Sequence, residues 1–365
     1  MPRPVLAAVT EHLEREAVIG GYEAAAEARE RTQDTYDALA TLLRTRPDHI
    51  ALMENATKAW GTVFYGMDWR SGDRVLTAQA SYASNYLAML QLRERHGIEI
   101  DVAPNDAAGQ VDVDALERLI TPRTRLLCLT HIPTNSGLVN PAAAVGNVAK
   151  RHGIPYLLDA CQSVGQIDVD MEAIGCDFLS GTGRKYLRGP RGTGFLAVRP
   201  GSLEMIQPPV LDLHAARWAA VDNYEMQPDA RRFETWEGYV AGKIGLGVAV
   251  RYTLDIGMSD IQSRTAGLAA SLRTSLGDLA GVRVHDIGER KGGIVTFSHA
   301  STAATDIQRG LTTRGMNTNI ADPDWARLDA ERRQLPSMVR ASVHYYNTEE
   351  EVDRFTRAVA EITST

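Results

Sequence analysis

Two residues of this chain are placed for chemistry on amines. Asp159 closes the apolar run Ile154-Pro155-Tyr156-Leu157-Leu158-Asp159, which reads as a buried strand, and Lys185 follows in the small-residue stretch Gly181-Thr182-Gly183-Arg184-Lys185-Tyr186. A carboxylate and a lysine so disposed suit pyridoxal phosphate. The lysine forms a Schiff base, and the aspartate keeps the pyridine nitrogen protonated so that the ring withdraws electrons. Taken alone, Asp159 could equally be a helix N-cap after a strand.

Lysine is scarce here, so the choice of lysine is short. The others are Lys58, Lys150, Lys243 and Lys291. Lys150 ends a helical stretch, Lys291 lies in a surface turn, and Lys58 and Lys243 sit near helix starts. Only Lys185 follows a strand among residues small enough to admit a bulky cofactor. Gln162 could bond the cofactor's phenolic oxygen. Glu54-Asn55-Ala56-Thr57-Lys58 follows a strand and opens a helix, where backbone N–H groups and a hydroxyl favour an anion such as phosphate, or where Thr57 merely caps. Thr182 could add a second hydroxyl. Tyr82 could stack on the pyridine ring or be a half-buried structural residue. Arg340 could take a substrate carboxylate by a two-pronged contact, or form a surface ion pair.

Regular elements must carry these groups. From about residue 47 to 200, strands at 50–53, 74–77, 99–102, 124–130, 155–159, 178–180 and 194–198 alternate with helical stretches near 56–66, 84–96, 113–120, 141–152 and 171–175. Such alternation predicts a mainly parallel sheet covered by helices, with ligands at the carboxyl ends of its strands. Residues 200–238 read as irregular, and a long helix is predicted from about Gly242 to Leu276. Strands at 293–297 and 339–343, with helices near 306–314 and 348–362, form a smaller αβ unit. The first 45 residues are mostly helical.

The totals exclude several classes. At 365 residues, with 44% hydrophobic and 23% charged, the chain suits a large soluble domain with a smaller companion. A net charge of −7 gives no basic field for nucleic acid or an anionic membrane. No apolar run approaches a membrane span, the N-terminus lacks a signal-peptide core, and a cytoplasmic protein is expected. Cys128, Cys161 and Cys176 form no CxxC pair, and no HExxH or His/Cys cluster suggests a metal.

Tyr156 to Val169, with Leu179 to Arg199, resembles the class V aminotransferase and cysteine-desulfurase family of fold-type I pyridoxal-phosphate enzymes. The similarity runs from about Arg46 to the ending Arg340-Ala341-Ser342 and Tyr346-Asn347-Thr348-Glu349-Glu350-Glu351-Val352-Asp353. It implies an α/β fold: an N-terminal helical segment (1–30) packing with the small domain, a large cofactor-binding domain (31–240) with a mainly parallel seven-stranded sheet, and a small C-terminal α+β domain (241–365). By resemblance, Lys185 is the Schiff-base lysine, Asp159 the pyridine partner and Gln162 the phenolic-oxygen ligand. Ala56, Thr57 and Thr182 hold the phosphate, and Tyr82 stacks where desulfurases carry a histidine. Thr134 falls where relatives place Asn or Ser near the cofactor, and Arg340 takes the substrate carboxylate. Homodimers with active sites at the interface are implied.

Departures from the family narrow the activity. Desulfurases need a mobile cysteine ahead of the carboxylate-binding arginine, and Asn319 to Val339 contains none. Arg184 replaces the histidine before the lysine, and Trp236 stands where relatives often have glycine before a phosphate-binding threonine. Ile19-Gly20-Gly21-Tyr22-Glu23-Ala24 and the stretch Arg184 to Gly192 resemble the subgroup of isopenicillin N epimerase-like proteins and ergothioneine-pathway C–S lyases. The chain also begins where such relatives already have upstream residues. The leading expectation is C–S cleavage of a cysteine S-conjugate or sulfoxide by α,β-elimination. The alternatives are an aminotransferase, epimerase or decarboxylating enzyme acting on a biosynthetic amino-acid intermediate, and a catalytically silent cofactor-binding partner or regulator.

Overall fold

The computed structural model describes residues 1–364. Three helices lead, α1 (Arg3–Ile19), α2 (Gly21–Glu27) and α3 (Arg29–Leu43). The large αβ unit follows as β1 (Ile50–Met53), α4 (Ala56–Gly66), β2 (Arg74–Ala78), α5 (Ala83–His96), β3 (Glu99–Ala103), α6 (Val113–Arg118), β4 (Thr124–Thr130), α7 (Ala142–His152), β5 (Tyr156–Asp159), α8 (Met171–Ile174), β6 (Phe178–Thr182) and β7 (Gly194–Val198). Its strands form one sheet in the order β1-β7-β6-β5-β4-β2-β3, with β7 antiparallel to both neighbours and the other pairings parallel. The mainly parallel seven-stranded sheet is as expected. Its central strands β5 and β6 are buried along their whole length because helices cover both faces.

One layer of core gathers Leu39, Leu43, Leu127, Leu129, Tyr156 and Leu158, and the opposite layer Trp60, Phe64, Met89, Leu157 and Phe178. The strand path matters for the site. From β2 the chain steps outward to β3, then crosses to β4 on the other side and continues through β5 to β6. Such a reversal opens a crevice at the carboxyl ends of the strands.

Residues 200–238, predicted irregular, contain a hairpin of β8 (Ala216–Ala220) and β9 (Asn223–Met226). Its strands expose both faces, so they lack the alternating pattern that marks a half-buried strand. The long predicted helix is broken into α9 (Val240–Ile256) and α10 (Met258–Gly277) at Gly257, whose φ of 95° no helical residue adopts. Helix α9 packs on α1 and α3 and gives Leu246 and Val250 to the core of the large sheet.

The remaining elements are β10 (Val282–Val284), β11 (Ile294–His299), α11 (Ala304–Thr312), β12 (Asn319–Ala321), α12 (Arg327–Arg333), β13 (Met338–Ser342) and α13 (Glu349–Thr363). They build an antiparallel sheet, β10-β11-β13-β12, packed against α10, α11 and α13. The short strands β10 and β12 were not expected. A capping box between Thr348 and Glu351 starts α13.

Two glycines on α7 test the packing. An added Cβ at Gly146 falls 1.8 Å from the Ile174 carbonyl oxygen, whereas Gly153 has φ +65° and open space around it. Gly146→Ala therefore costs about 2–3 kcal/mol through overpacking, and Gly153→Ala only about 1 kcal/mol of left-handed strain. Urea unfolding of both variants checks the order.

Candidate active site

The crevice at the strand ends holds a cavity of about 100 Å³, lined by residues from five loops at that edge. Asn55, Ala56 and Thr57 come from the start of α4, Tyr82 and Asn85 from the start of α5, and Thr130, Ile132 and Thr134 from the end of β4. Asp159, Cys161 and Gln162 follow β5, and Thr182, Arg184 and Lys185 follow β6. All eight sequence-predicted cofactor residues line it. Strand register sets their relation: Asp159 pairs with Thr130 on one side and Ser180 on the other.

The N-terminus of α4 has the donors an anion needs. Asn55, not Thr57, is the N-cap, its side chain accepting from Lys58 N at 2.9 Å. That leaves the N–H groups of Ala56 and Thr57, and the Thr57 hydroxyl, free to face the cavity. A helix start with unspent donors favours a phosphate. Gly194 permits the approach of α4, since a Cβ there would lie 2.6 Å from the Asn55 carbonyl carbon. Thr182 differs from expectation: its hydroxyl donates to Thr193 O at 3.0 Å and must turn to serve a ligand.

Asp159 is buried, which pushes its carboxyl above the usual range. The Cys161 N–H at 3.0 Å, the Asn85 amide at 2.7 Å and the nearby Lys185 charge oppose that shift. A protonated pyridine nitrogen would complete the compensation. Burial, then the Arg340 charge, lowers Lys185 to about 8. No hydrogen bond or ion pair holds its amine among the described residues. The buried amide oxygen of Gln162 likewise has no partner. An unspent anion site, an orphaned amide, a free amine and a buried carboxylate together fit pyridoxal phosphate.

Arg340 lies outside the cavity wall, on β13, within electrostatic reach of Lys185, Arg184 and Cys161. Its buried Nε has no partner. Sequence reasoning missed Asn85, Thr130, Ile132 and Cys161. Asn85 was findable only as a polar residue in the first turn after β2, a weak signal. Among the described residues no group of three or more His, Cys, Asp or Glu is placed to hold a metal ion, and no helix is long and apolar enough to cross a membrane.

Comparison with known proteins agrees with this geometry. The family model "Aminotransferase class-V" matches residues 1–355. The chain belongs to the class-V aminotransferase family, and it is a pyridoxal-phosphate-dependent enzyme. It is 30% identical over 370 residues to a probable cysteine desulfurase of Methanothermobacter thermautotrophicus, covering 99% of this chain and 92% of that one. A probable cysteine desulfurase of Xylella fastidiosa is 32% identical over 341 residues, covering 92% and 81%. Two solved structures share the fold at 23% identity. The cysteine desulfurase of Thermococcus onnurineus has a TM-score of 0.92 with 100% and 92% coverage. The cystine C–S lyase C-DES, in complex with its reaction product cysteine persulfide, has a TM-score of 0.89 with 99% and 94% coverage.

The lysine assignment has a pH signature. Only the neutral amine attacks an aldehyde, so capture of added cofactor by the apoprotein rises with pH and levels off above about 8; a midpoint near the ordinary 10.5 would show that the fold does not hold Lys185 neutral. Lys185→Ala abolishes the covalent absorbance band.

Proposed function

We propose that this enzyme cleaves the C–S bond of a cysteine S-conjugate or sulfoxide by α,β-elimination. The observation that carries the proposal is the state of the thiols. Asn319 to Val339, where a desulfurase needs a mobile cysteine, has none. Cys161, the only cysteine lining the cavity, is pushed up to about 12 by burial and by Asp159. It remains a protonated thiol and a poor acceptor for sulfur, because the nucleophile is the thiolate.

Bound pyridoxal phosphate supplies an electron sink for the pair left when a bond to the α-carbon breaks. The chain's residues do the rest. Ala56, Thr57 and Thr182 would hold the phosphate, Gln162 would serve the phenolic oxygen and Tyr82 the ring. Asp159 would keep a proton on the pyridine nitrogen, and Thr134 lines the same cavity. Arg340 orients the substrate carboxylate. Lys185, about half neutral at pH 8, would take the α-proton. The Cβ–S bond then breaks, the sulfur leaves with the bond pair and takes a proton from the Lys185 ammonium. Substrate and one water together would give pyruvate, ammonia and the free thiol, or the sulfenic acid where the substrate is a sulfoxide. Cleavage of a C–S bond is compatible with the architecture, since a cystine C–S lyase is built on the same fold.

A second copy of the chain is the partner proposed with this reading. Val210, Leu213, Trp218, Val221, Tyr224 and Trp236 are exposed within one stretch of sequence, more apolar surface than a lone chain usually leaves in water. Glu234 fixes the base of that stretch, accepting from Tyr36 Oη at 2.8 Å and Leu52 N at 2.8 Å.

Assay of pyruvate from cystine, S-alkylcysteines and their sulfoxides tests the proposal. Release from at least one, with no sulfur retained on the protein by mass spectrometry, is the expected result. Cysteine-dependent protein persulfide without pyruvate sinks it, and conversion of the cofactor to its amine form assigns transamination instead.

A further inference from the structure

Next to the lysine, four side chains form a continuous stack. Tyr186 lies on His344 with ring centroids 5.1 Å apart and planes 20° apart. His344 lies on Tyr346 at 4.7 Å and 21°, and the Arg188 guanidinium covers the Tyr346 ring at 4.4 Å. The outer layers, Tyr186 and Arg188, belong to the lysine loop; the inner two follow the strand that carries Arg340. The loop thus grips the small domain as two jaws grip a plate. Arg188 adopts φ 59°, a left-handed conformation that non-glycine residues rarely take. Its Nη1 donates to Tyr345 Oη at 3.0 Å.

The histidine at the centre has a defined protonation. Its Nε2 is 3.0 Å from the Tyr186 carbonyl oxygen, which only accepts, so Nε2 carries the hydrogen. Its Nδ1 accepts from Tyr345 N at 3.0 Å. Burial lowers the ring to about 4, helped by the neighbouring Arg188 and the chain's amino terminus, so it stays neutral at working pH. Both nitrogens and both faces are occupied.

We propose that His344 is a positioning residue: it locks the Lys185 loop to the strand bearing Arg340 and so sets the spacing between the group that receives the substrate amine and the group that receives its carboxylate. This rests on the reading of Lys185 and Arg340 given above. An amino acid presents its amine and carboxylate on one carbon, so the spacing decides whether both are met at once. Small misplacements at such sites cost up to roughly 100-fold in rate.

The test compares His344→Phe, which keeps a stacking ring without either hydrogen bond, with His344→Gln, which restores a donor, and Arg188→Gln, which removes an outer jaw from a half-buried position. Two readouts are used: the apparent Kd for L-alanine and S-methylcysteine from the holoenzyme's absorbance, and the pH midpoint of cofactor capture. Loosening the clamp raises Kd about tenfold or more in His344→Phe, less in His344→Gln and Arg188→Gln. It also moves the capture midpoint up from about 8, since the Arg340 charge that helps depress Lys185 is no longer held beside it. Wild-type Kd and midpoint in His344→Phe overturn the proposal; if that variant does not fold, the same result in Arg188→Gln does so. Arg340→Gln separates the two readings. If it leaves Kd unchanged, the carboxylate assignment is wrong, and the capture midpoint still decides the clamp, because it reports the distance between the two cations and not what Arg340 binds.

Discussion

A buried carboxylate is the constraint on which the site depends. Asp159 ends a strand buried on both faces, and an isolated charge there is costly unless donors and an opposite charge meet it. The fold supplies two donors, Cys161 N and the Asn85 amide, and places an amine across the cavity. The amine is in turn held below its usual pKa by burial and by Arg340. Each group's state is set by its neighbours, and a ring bearing a positive nitrogen, as proposed, would satisfy the aspartate.

Sulfur chemistry divides on the same electrostatics. A thiol reacts when a nearby positive charge lowers its pKa, and Cys161 has Lys185, Arg184 and Arg340 within reach. Burial and Asp159 outweigh them. The residue proposed to anchor the cofactor thus helps keep the cavity's thiol protonated. The segment from Asn319 to Val339 meanwhile folds into β12, a 3₁₀ turn and α12, with the Asn135 amide donating to Asp322 O at 2.7 Å.

Much of this was legible in the sequence. The seven strands of the large sheet were marked by apolar runs bounded by turn residues, and their order of appearance dictated a crevice that gathers Asp159, Thr134 and Lys185. What escaped was decided by single residues or by tertiary contact. Gly257 breaks the long helix although the apolar period runs through it. The hairpin at 216–226 shows no buried face. Asn55 displaces Thr57 as the cap because the chain is extended there, with φ −172°. The His344 stack joins residues far apart in sequence, and neither hydrophobic periodicity nor motif spacing records such a pairing.

The cavity draws on five separate loops, from Asn55 to Lys185, and Arg340, the proposed carboxylate partner, comes later still, on β13. No subset of the chain presents the whole set. Folding must bring together segments of high sequence separation before any ligand is gripped, the slow kind of assembly for a chain of this topology. The cofactor therefore acts late, as a ligand of the finished fold that draws the folding equilibrium toward itself by mass action. In such a chain, cofactor supply is a determinant of how long the folded protein survives as well as of how fast it works.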